Sequence, residues 1–132
     1  MAENLKILLV EDEVITAIMM EVGLRKIGFP IASRAVSGET AVSLATEEIF
    51  HVVLMDIRLA GQIDGIEAAR QIQQIRKTTI IFMTGYQDEE TRLRAQELSP
   101  LAYLVKPIDT AQLAALLGEV KSQVVARITA IE

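Results

Sequence analysis

The chain has 132 residues, 51% of them hydrophobic and only 4% aromatic, which suits one domain with a core of Ile, Val, Leu, Met and Ala. Its net charge of −5 argues against direct nucleic-acid binding, which rests on clustered Lys and Arg, and nothing resembles a polybasic membrane patch. With no cysteine, disulfides, zinc thiolates and iron–sulfur clusters are excluded, and no apolar run approaches the roughly 20 residues that span a bilayer.

Met1-Ala2-Glu3-Asn4-Leu5-Lys6 lacks the basic-then-apolar pattern of a secretory signal, so a cytoplasmic location without membrane insertion is expected. Leu5–Val10 reads as a first strand. A helix over Val14–Ile27 follows, with Ile15, Ile18, Met19 and Val22 on one face and Gly28 ending it. Ile31–Ala35 is a short second strand. Ser37 can cap a helix whose inner stripe is Ala41, Leu44 and Ala45. His51–Met55 is the third strand, 57–63 a loop containing Gly61, and Asp64-Gly65 opens a helix to Ile75. Thr79–Met83 is the fourth strand. Asp88 can cap a helix from Glu89 to Leu98 that carries few apolar residues, and Leu101–Val105 is the fifth strand. A last helix starts near Asp109, with Leu113, Leu116, Leu117, Val120 and Val124 at helical spacing; 126–132 is its end or the start of a linker. Alternating β and α elements with short connections predict a parallel sheet wrapped by helices through right-handed crossovers.

Four of these strands run into polar residues: Glu11 and Asp12 after the first, Asp56 after the third, Thr84 after the fourth, Lys106-Pro107 after the fifth. In an open α/β sheet the ligand crevice lies beyond the carboxyl ends of the strands, so these groups should converge. Three carboxylates together repel one another and suit Mg2+, which takes oxygen ligands and one or two carboxylates; Mn2+ is a plausible substitute by the same donor chemistry. Glu11 taken alone reads equally well as a solvated acid. Asp56 suits a nucleophile that carries a phosphoryl group as an acyl phosphate, with Thr84 donating to one phosphoryl oxygen and Lys106 pairing with another. An X-Pro bond after Lys106 is a candidate for the cis form.

Glu11-Asp12 in "LLVEDE", Asp56 in "VVLMDIRL", Asp64-Gly65 in "IDGIEAA", Thr84 in "IFMTGY" and Lys106-Pro107 in "YLVKP" together resemble the receiver domain of two-component response regulators, over about Leu5 to Val125. The resemblance implies a flavodoxin-like (βα)5 sandwich, a five-stranded parallel sheet in order 2-1-3-4-5. It implies that Asp56 accepts a phosphoryl group from a sensor histidine kinase or phosphotransfer protein. Asp12 and Asp56 would ligate the metal by their side chains, Glu11 through water, and Arg58 through its backbone carbonyl. Thr84 and Tyr103 would form the switch that remodels the fourth helix, fifth strand and fifth helix for a downstream effector, output module or homodimer contact. Arg58 and Tyr86 would tune dephosphorylation, bulky Tyr86 shielding the acyl phosphate from water. Such a domain is no enzyme beyond its own phosphorylation and slow autodephosphorylation. Two departures stand out: Glu-Asp replaces the commoner Asp-Asp, and "LAGQIDG" carries one residue more than the usual loop between its glycine and Asp64.

His51, the sole histidine, is structural or solvated; Tyr103 by composition alone is core filler; Arg92 and Arg94 read as a solvated face or a partner contact. A haloacid dehalogenase-type phosphatase would want a second aspartate two residues after its nucleophile, where Asp12 is followed by Glu13 and Val14. A flavin or nucleotide module would want a Gly-rich phosphate loop after the first strand, where Glu11-Asp12-Glu13 repels phosphate. A phosphorylation-independent pseudo-receiver would lack part of the site set.

Overall fold

The computed structural model describes residues 5–131, with side chains placed as far as Arg127. Five short strands pair in parallel, all but the edge strand β2 largely apolar: β1 (Ile7–Val10), β2 (Ser33–Ala35), β3 (Val52–Asp56), β4 (Thr79–Thr84) and β5 (Ala102–Val105), in the order 2-1-3-4-5. Helices α1 (Val14–Lys26), α2 (Gly38–Glu47), α3 (Gly65–Ile75), α4 (Glu89–Gln96) and α5 (Thr110–Ile131) connect or follow them. This is the flavodoxin-like α/β architecture that the alternation predicts. Of the tail 126–132, α5 takes the residues to Ile131, and Glu132 lies outside the described residues.

Strand alternation divides the core in two. Leu8, Val10, Val53, Met55, Ile80 and Phe82 point to one face, where Ala41 and Ala45 of α2, Ile66, Ala68, Ala69 and Ile72 of α3, and Ala95 of α4 cover them. Ile7, Leu9, Val52, Leu54, Ile81 and Met83 point to the other, under Ala17, Met20 and Leu24 of α1 and Leu113, Leu117 and Val120 of α5. Both faces are covered, which explains the loss of polar alternation in the sequence. Each fully buried Leu, Ile or Phe contributes about 1.5–3 kcal/mol.

The inner face of α1 differs from the one that its spacing predicts. Ile15 and Met19, placed on its inner face, are 76% and 68% exposed, and Ile18 is 45% exposed; Ala17, Met20 and Leu24 are buried instead. The helix is apolar almost all round, so two stripes fit its period, and small residues decide between them. Gly23 sits so close to α5 that a Cβ there would lie 3.2 Å from Thr110 Cγ2. In α4, Leu93 is likewise exposed rather than docked, and the helix stops at Gln96 instead of Leu98. Strands one, two and five begin one or two residues later than their apolar runs, while β3 and β4 extend to include Asp56 and Thr84.

Capping follows the predicted chemistry. Ser37, Asp64 and Asp88 accept from the backbone N–H of Thr40, Glu67 and Thr91 at the starts of α2, α3 and α4. His51 takes a structural role: its Nδ1 accepts from the Lys6 backbone N–H at 2.7 Å. Arg92 pairs with Glu89 on its own helix, whereas Arg94 crosses to Asp64 at 3.1 Å.

One backbone approach fixes how α3 leaves the sheet. The Gly65 N–H donates to Ile57 O at 2.8 Å, and a Cβ on Gly65 would sit 2.0 Å from Asp56 O. That neighbour is backbone in a central strand and has nowhere to move. Gly65→Ala should therefore destabilise by about 3 kcal/mol or more, at or above the upper end of ordinary overpacking. Urea unfolding measures this, and a loss below about 1 kcal/mol would refute the close approach.

Candidate functional site

The parallel register sets the site. Val10 pairs with Met55, Asp56 with Met83, and Thr84 with Val105, so the ends of β1, β3, β4 and β5 finish within a residue of one another. Asp56 shares its side-chain parity with Val52 and Leu54. Continuing each strand by one residue gives Glu11 the parity of Leu9, and Lys106 that of Leu104. These three groups consequently meet: Lys106 Nζ lies 2.8 Å from Glu11 Oε1 and 2.9 Å from Asp56 Oδ2. Lys106 N donates to Thr84 O at 2.7 Å, which ties the end of β5 to that of β4, and the Lys106–Pro107 peptide is cis.

A backbone amide donates to one oxygen of each of the three carboxylates. Glu13 N–H donates to Glu11 Oε2 at 3.1 Å, Arg58 N–H to Asp56 Oδ1 at 3.2 Å, and Ala60 N–H to Asp12 Oδ2 at 3.1 Å. Glu11 and Asp56 are almost wholly buried, at 2% and 4% exposure, so the solvated alternative for Glu11 is overturned. Glu11, Asp12 and Asp56 each offer an oxygen within 4.8 Å of the others, a donor set of hard carboxylates that fits a divalent cation.

Thr84 and Tyr103 have the opposite parity and lie on the α4 side. The Thr84 hydroxyl donates to Tyr86 O and accepts from Tyr86 N–H, both at 3.0 Å. Tyr103 packs against the α2–α3 side of the core, and its hydroxyl is buried with no hydrogen-bond partner among the described residues. Arg58 and Tyr86, on separate loops, are in contact, the guanidinium carbon lying 3.7 Å from the ring centroid. Seven of the eight candidate site residues thus lie at or beside the carboxyl end of the sheet, while Tyr103 lies within β5, opposite Phe82.

One further residue escaped the sequence reading. Glu39 in α2 accepts from Gln62 N–H at 2.9 Å and from Ile63 N–H at 3.3 Å, inside the long loop after β3. Gly61 hinted at a special turn there, but nothing along the chain connects that loop to a side chain 23 residues earlier.

Electrostatics sharpen the picture. Burial, the largest influence, pushes the Asp56 carboxyl from 3.8 up to about 6; the Lys106 hydrogen bond opposes it, and the Glu11 charge adds to it. Burial disfavours the Lys106 charge as well, yet its hydrogen bonds to Glu11 and Asp56 prevail and hold its pKa above the ordinary value. The Tyr103 phenol is raised, first by burial and then by the charge of Asp88. An acid whose folded pKa lies above its unfolded one stabilises the fold fully below the unfolded value and loses that contribution as pH rises through the folded value. Metal-free protein should lose on the order of 2–3 kcal/mol from Asp56 between about pH 4 and pH 6.5, at about 1.4 kcal/mol per unit. Asp56→Asn should flatten that slope and be the more stable form at neutral pH. Urea unfolding at both ends of the window tests this; parallel profiles for the two proteins would contradict it.

Comparison with known proteins agrees with this geometry. Residues 7–118 match the family model described as the response regulator receiver domain. The chain is 34% identical over 116 residues to the transcriptional regulatory protein ZraR of Escherichia coli K12, covering 87% of this chain and 26% of that protein. It is 31% identical over 134 residues to the transcriptional activator protein IrlR of Burkholderia pseudomallei, covering 97% and 58%. The chain therefore spans between about a quarter and three fifths of the length of these relatives. Among solved structures, the signal receiver domain of a modulated diguanylate cyclase from Desulfovibrio desulfuricans G20 superposes with a TM-score of 0.84 at 30% identity, covering 92% of this chain and 96% of that one. The chain belongs to the response regulator receiver domain family.

Proposed function

We propose that the chain is a phosphoacceptor in a two-component or phosphorelay system, with Asp56 as the nucleophile and a phosphohistidine on a sensor kinase or phosphotransfer protein as donor. The phosphorus–nitrogen bond of the donor breaks as a phosphorus–oxygen bond forms to the Asp56 carboxylate. The imidazole nitrogen keeps the bonding pair and takes up a proton. The observation that carries this reading is the Lys106 ammonium held 2.9 Å from Asp56 and 2.8 Å from Glu11 at the mouth of a buried acid cluster. A raised pKa keeps Lys106 charged, ready to pair with an incoming phosphoryl oxygen. Asp12 and Asp56 by their side chains, Glu11 through water and Arg58 through its backbone carbonyl would hold Mg2+, or Mn2+ in its place, which offsets phosphoryl charge when bound.

The phosphoryl group adds about −1.5 to −2 charge beside Lys106. Thr84 would leave its local bonds to Tyr86 for a phosphoryl oxygen. Tyr103, whose hydroxyl has no hydrogen-bond partner among the described residues, would follow that shift. Their side of the sheet is the α4 side, so the α4–β5–α5 face is the surface that changes for an effector, an output module or a second copy. A haloacid dehalogenase-type phosphatase has less support: two residues beyond Asp56 stands Arg58, and two beyond Asp12 stands Val14, with no second aspartate at either place.

Incubation with acetyl phosphate and Mg2+, followed by intact mass, should add one phosphate to the parent and none to Asp56→Asn. The adduct should be labile to hydroxylamine. No adduct on the parent would favour a pseudo-receiver, and turnover of a free phosphomonoester would favour the phosphatase.

The stacked Arg58–Tyr86 pair bears on the lifetime of the adduct. Tyr86 is 57% exposed, so the pair forms an outer cover over the site instead of part of its core. A cation–π contact at an exposed site contributes about 0.5–1 kcal/mol, which corresponds to a two- to fivefold change in rate. Tyr86→Ala should therefore lose its phosphoryl label about two- to fivefold faster. Decay no faster than the parent would count against shielding.

A further inference from the structure

The loop joining β3 to α3 is held from outside by a residue on another helix. Its backbone carries Ala60 N–H to Asp12 Oδ2 at 3.1 Å, then turns through Gly61 at φ +112, a left-handed conformation that favours glycine. The turn delivers the next two amides, of Gln62 and Ile63, to one oxygen of Glu39. Successive backbone N–H groups around a left-handed residue make a concavity suited to an anion, and the Glu39 carboxylate fills it. These amides, with the backbone N–H of Glu39 itself as the largest influence, hold the Glu39 carboxyl below the usual range although it is fully exposed.

The fit is close on every side. A Cβ on Gly61 would lie 2.7 Å from Glu39 Oε1. The neighbouring Gly38 lets the Ile63 side chain rest on the helix, where a Cβ would meet Ile63 Cγ1 at 2.9 Å. At its far end the loop is pinned by the Gly65 contact with Asp56 and Ile57. A loop one residue longer than its family's norm thus has its own anchor, and three consecutive residues, Ala60 to Gln62, run from that anchor to a site carboxylate.

We infer that Glu39 is a positioning residue for the divalent-cation site, acting through the loop amides to orient Asp12 and the Arg58 carbonyl. This rests on the cation site proposed above. Glu39 contacts none of the three clustered carboxylates in the hydrogen-bond network, so its influence runs through the backbone.

Binding of Mn2+ alone, followed by the electron paramagnetic resonance of the free ion, tests the inference without phosphorylation. The parent should bind one ion. Glu39→Ala should bind about tenfold more weakly, at the lower end of what outer-shell partners of metal ligands contribute. Glu39→Gln keeps an acceptor oxygen and should stay within about threefold of the parent, which separates positioning from the field of a lost charge. In metal-free Glu39→Ala, the Gln62 and Ile63 amides should exchange with solvent at least about tenfold faster, while core amides of β3 keep their protection. A parent that binds no Mn2+ refutes the cation site and this inference with it. A parent that binds, beside a Glu39→Ala variant of equal affinity, overturns the inference alone. Equal losses in the Ala and Gln variants assign the effect to charge and overturn positioning too.

Discussion

One ammonium serves two buried carboxylates, and the rest of the site follows from that imbalance. Lys106 reaches both Glu11 and Asp56, which are otherwise closed off from water. At about 4 Å and an effective dielectric near 20, a pair of unit charges interacts by about 4 kcal/mol, so an extra negative charge in this space cannot be ignored. Burial is the main reason that the Asp56 carboxyl is raised, and the Glu11 charge adds to it. The fold tolerates the strain because the groups are fixed by three strand ends in register, not by a loop that could swing one of them into solvent. A site left short of positive charge has two natural responses, taking up a proton or taking up a cation. With a carboxyl pushed up to about 6, proton uptake is favoured only below neutral pH, and the three clustered carboxylates offer the donors that a cation would need.

Strand parity then separates chemistry from response. Glu11, Asp56 and Lys106 share the parity of the residues that face α1 and α5, while Thr84 and Tyr103 share that of the residues facing α2, α3 and α4. In the proposed mechanism, a change in charge at Asp56 would act across the end of the sheet through Thr84. The two hydroxyls on that side differ in a useful way. Thr84 bonds locally to Tyr86, whereas the Tyr103 hydroxyl is buried without a hydrogen-bond partner among the described residues, a position that costs about 1–3 kcal/mol for such a group. The proposed switch would draw on that difference, since a hydroxyl without a partner gives up no hydrogen bond when it moves.

The fold and the inner site were legible because they depend on short-range pattern. Apolar runs of strand length, four of them ending in a polar residue, gave the sheet; glycines and capping residues gave the helix starts; and Glu11, Asp12, Asp56, Thr84 and Lys106 sit where parallel strands end. What failed was the choice between faces of a helix with apolar residues on both. In α1 the period allowed either stripe, and the inner one is set by how closely Gly23 lets α5 approach, a property of two helices rather than one. Val14, Ile15, Ile18 and Met19 remain on the surface as a result, on the helix that begins two residues after Asp12.

The loop after β3 marks a different limit. Its extra residue was visible, but a surface glutamate in the first turn of a helix carries no periodic or compositional signal, and acids are common there because the helix dipole favours them. Only three-dimensional proximity sets the Glu39 oxygens against two amides of another segment. The two carboxylates served by this loop differ accordingly. Asp12 was readable from its place at the end of a strand, which every parallel sheet presents to its ligand. Glu39 answers to the shape of one loop, and a different loop length would remove its partners. Residues of the first kind belong to the architecture; those of the second kind are where a single member of a family can set its own metal affinity without touching the chemistry.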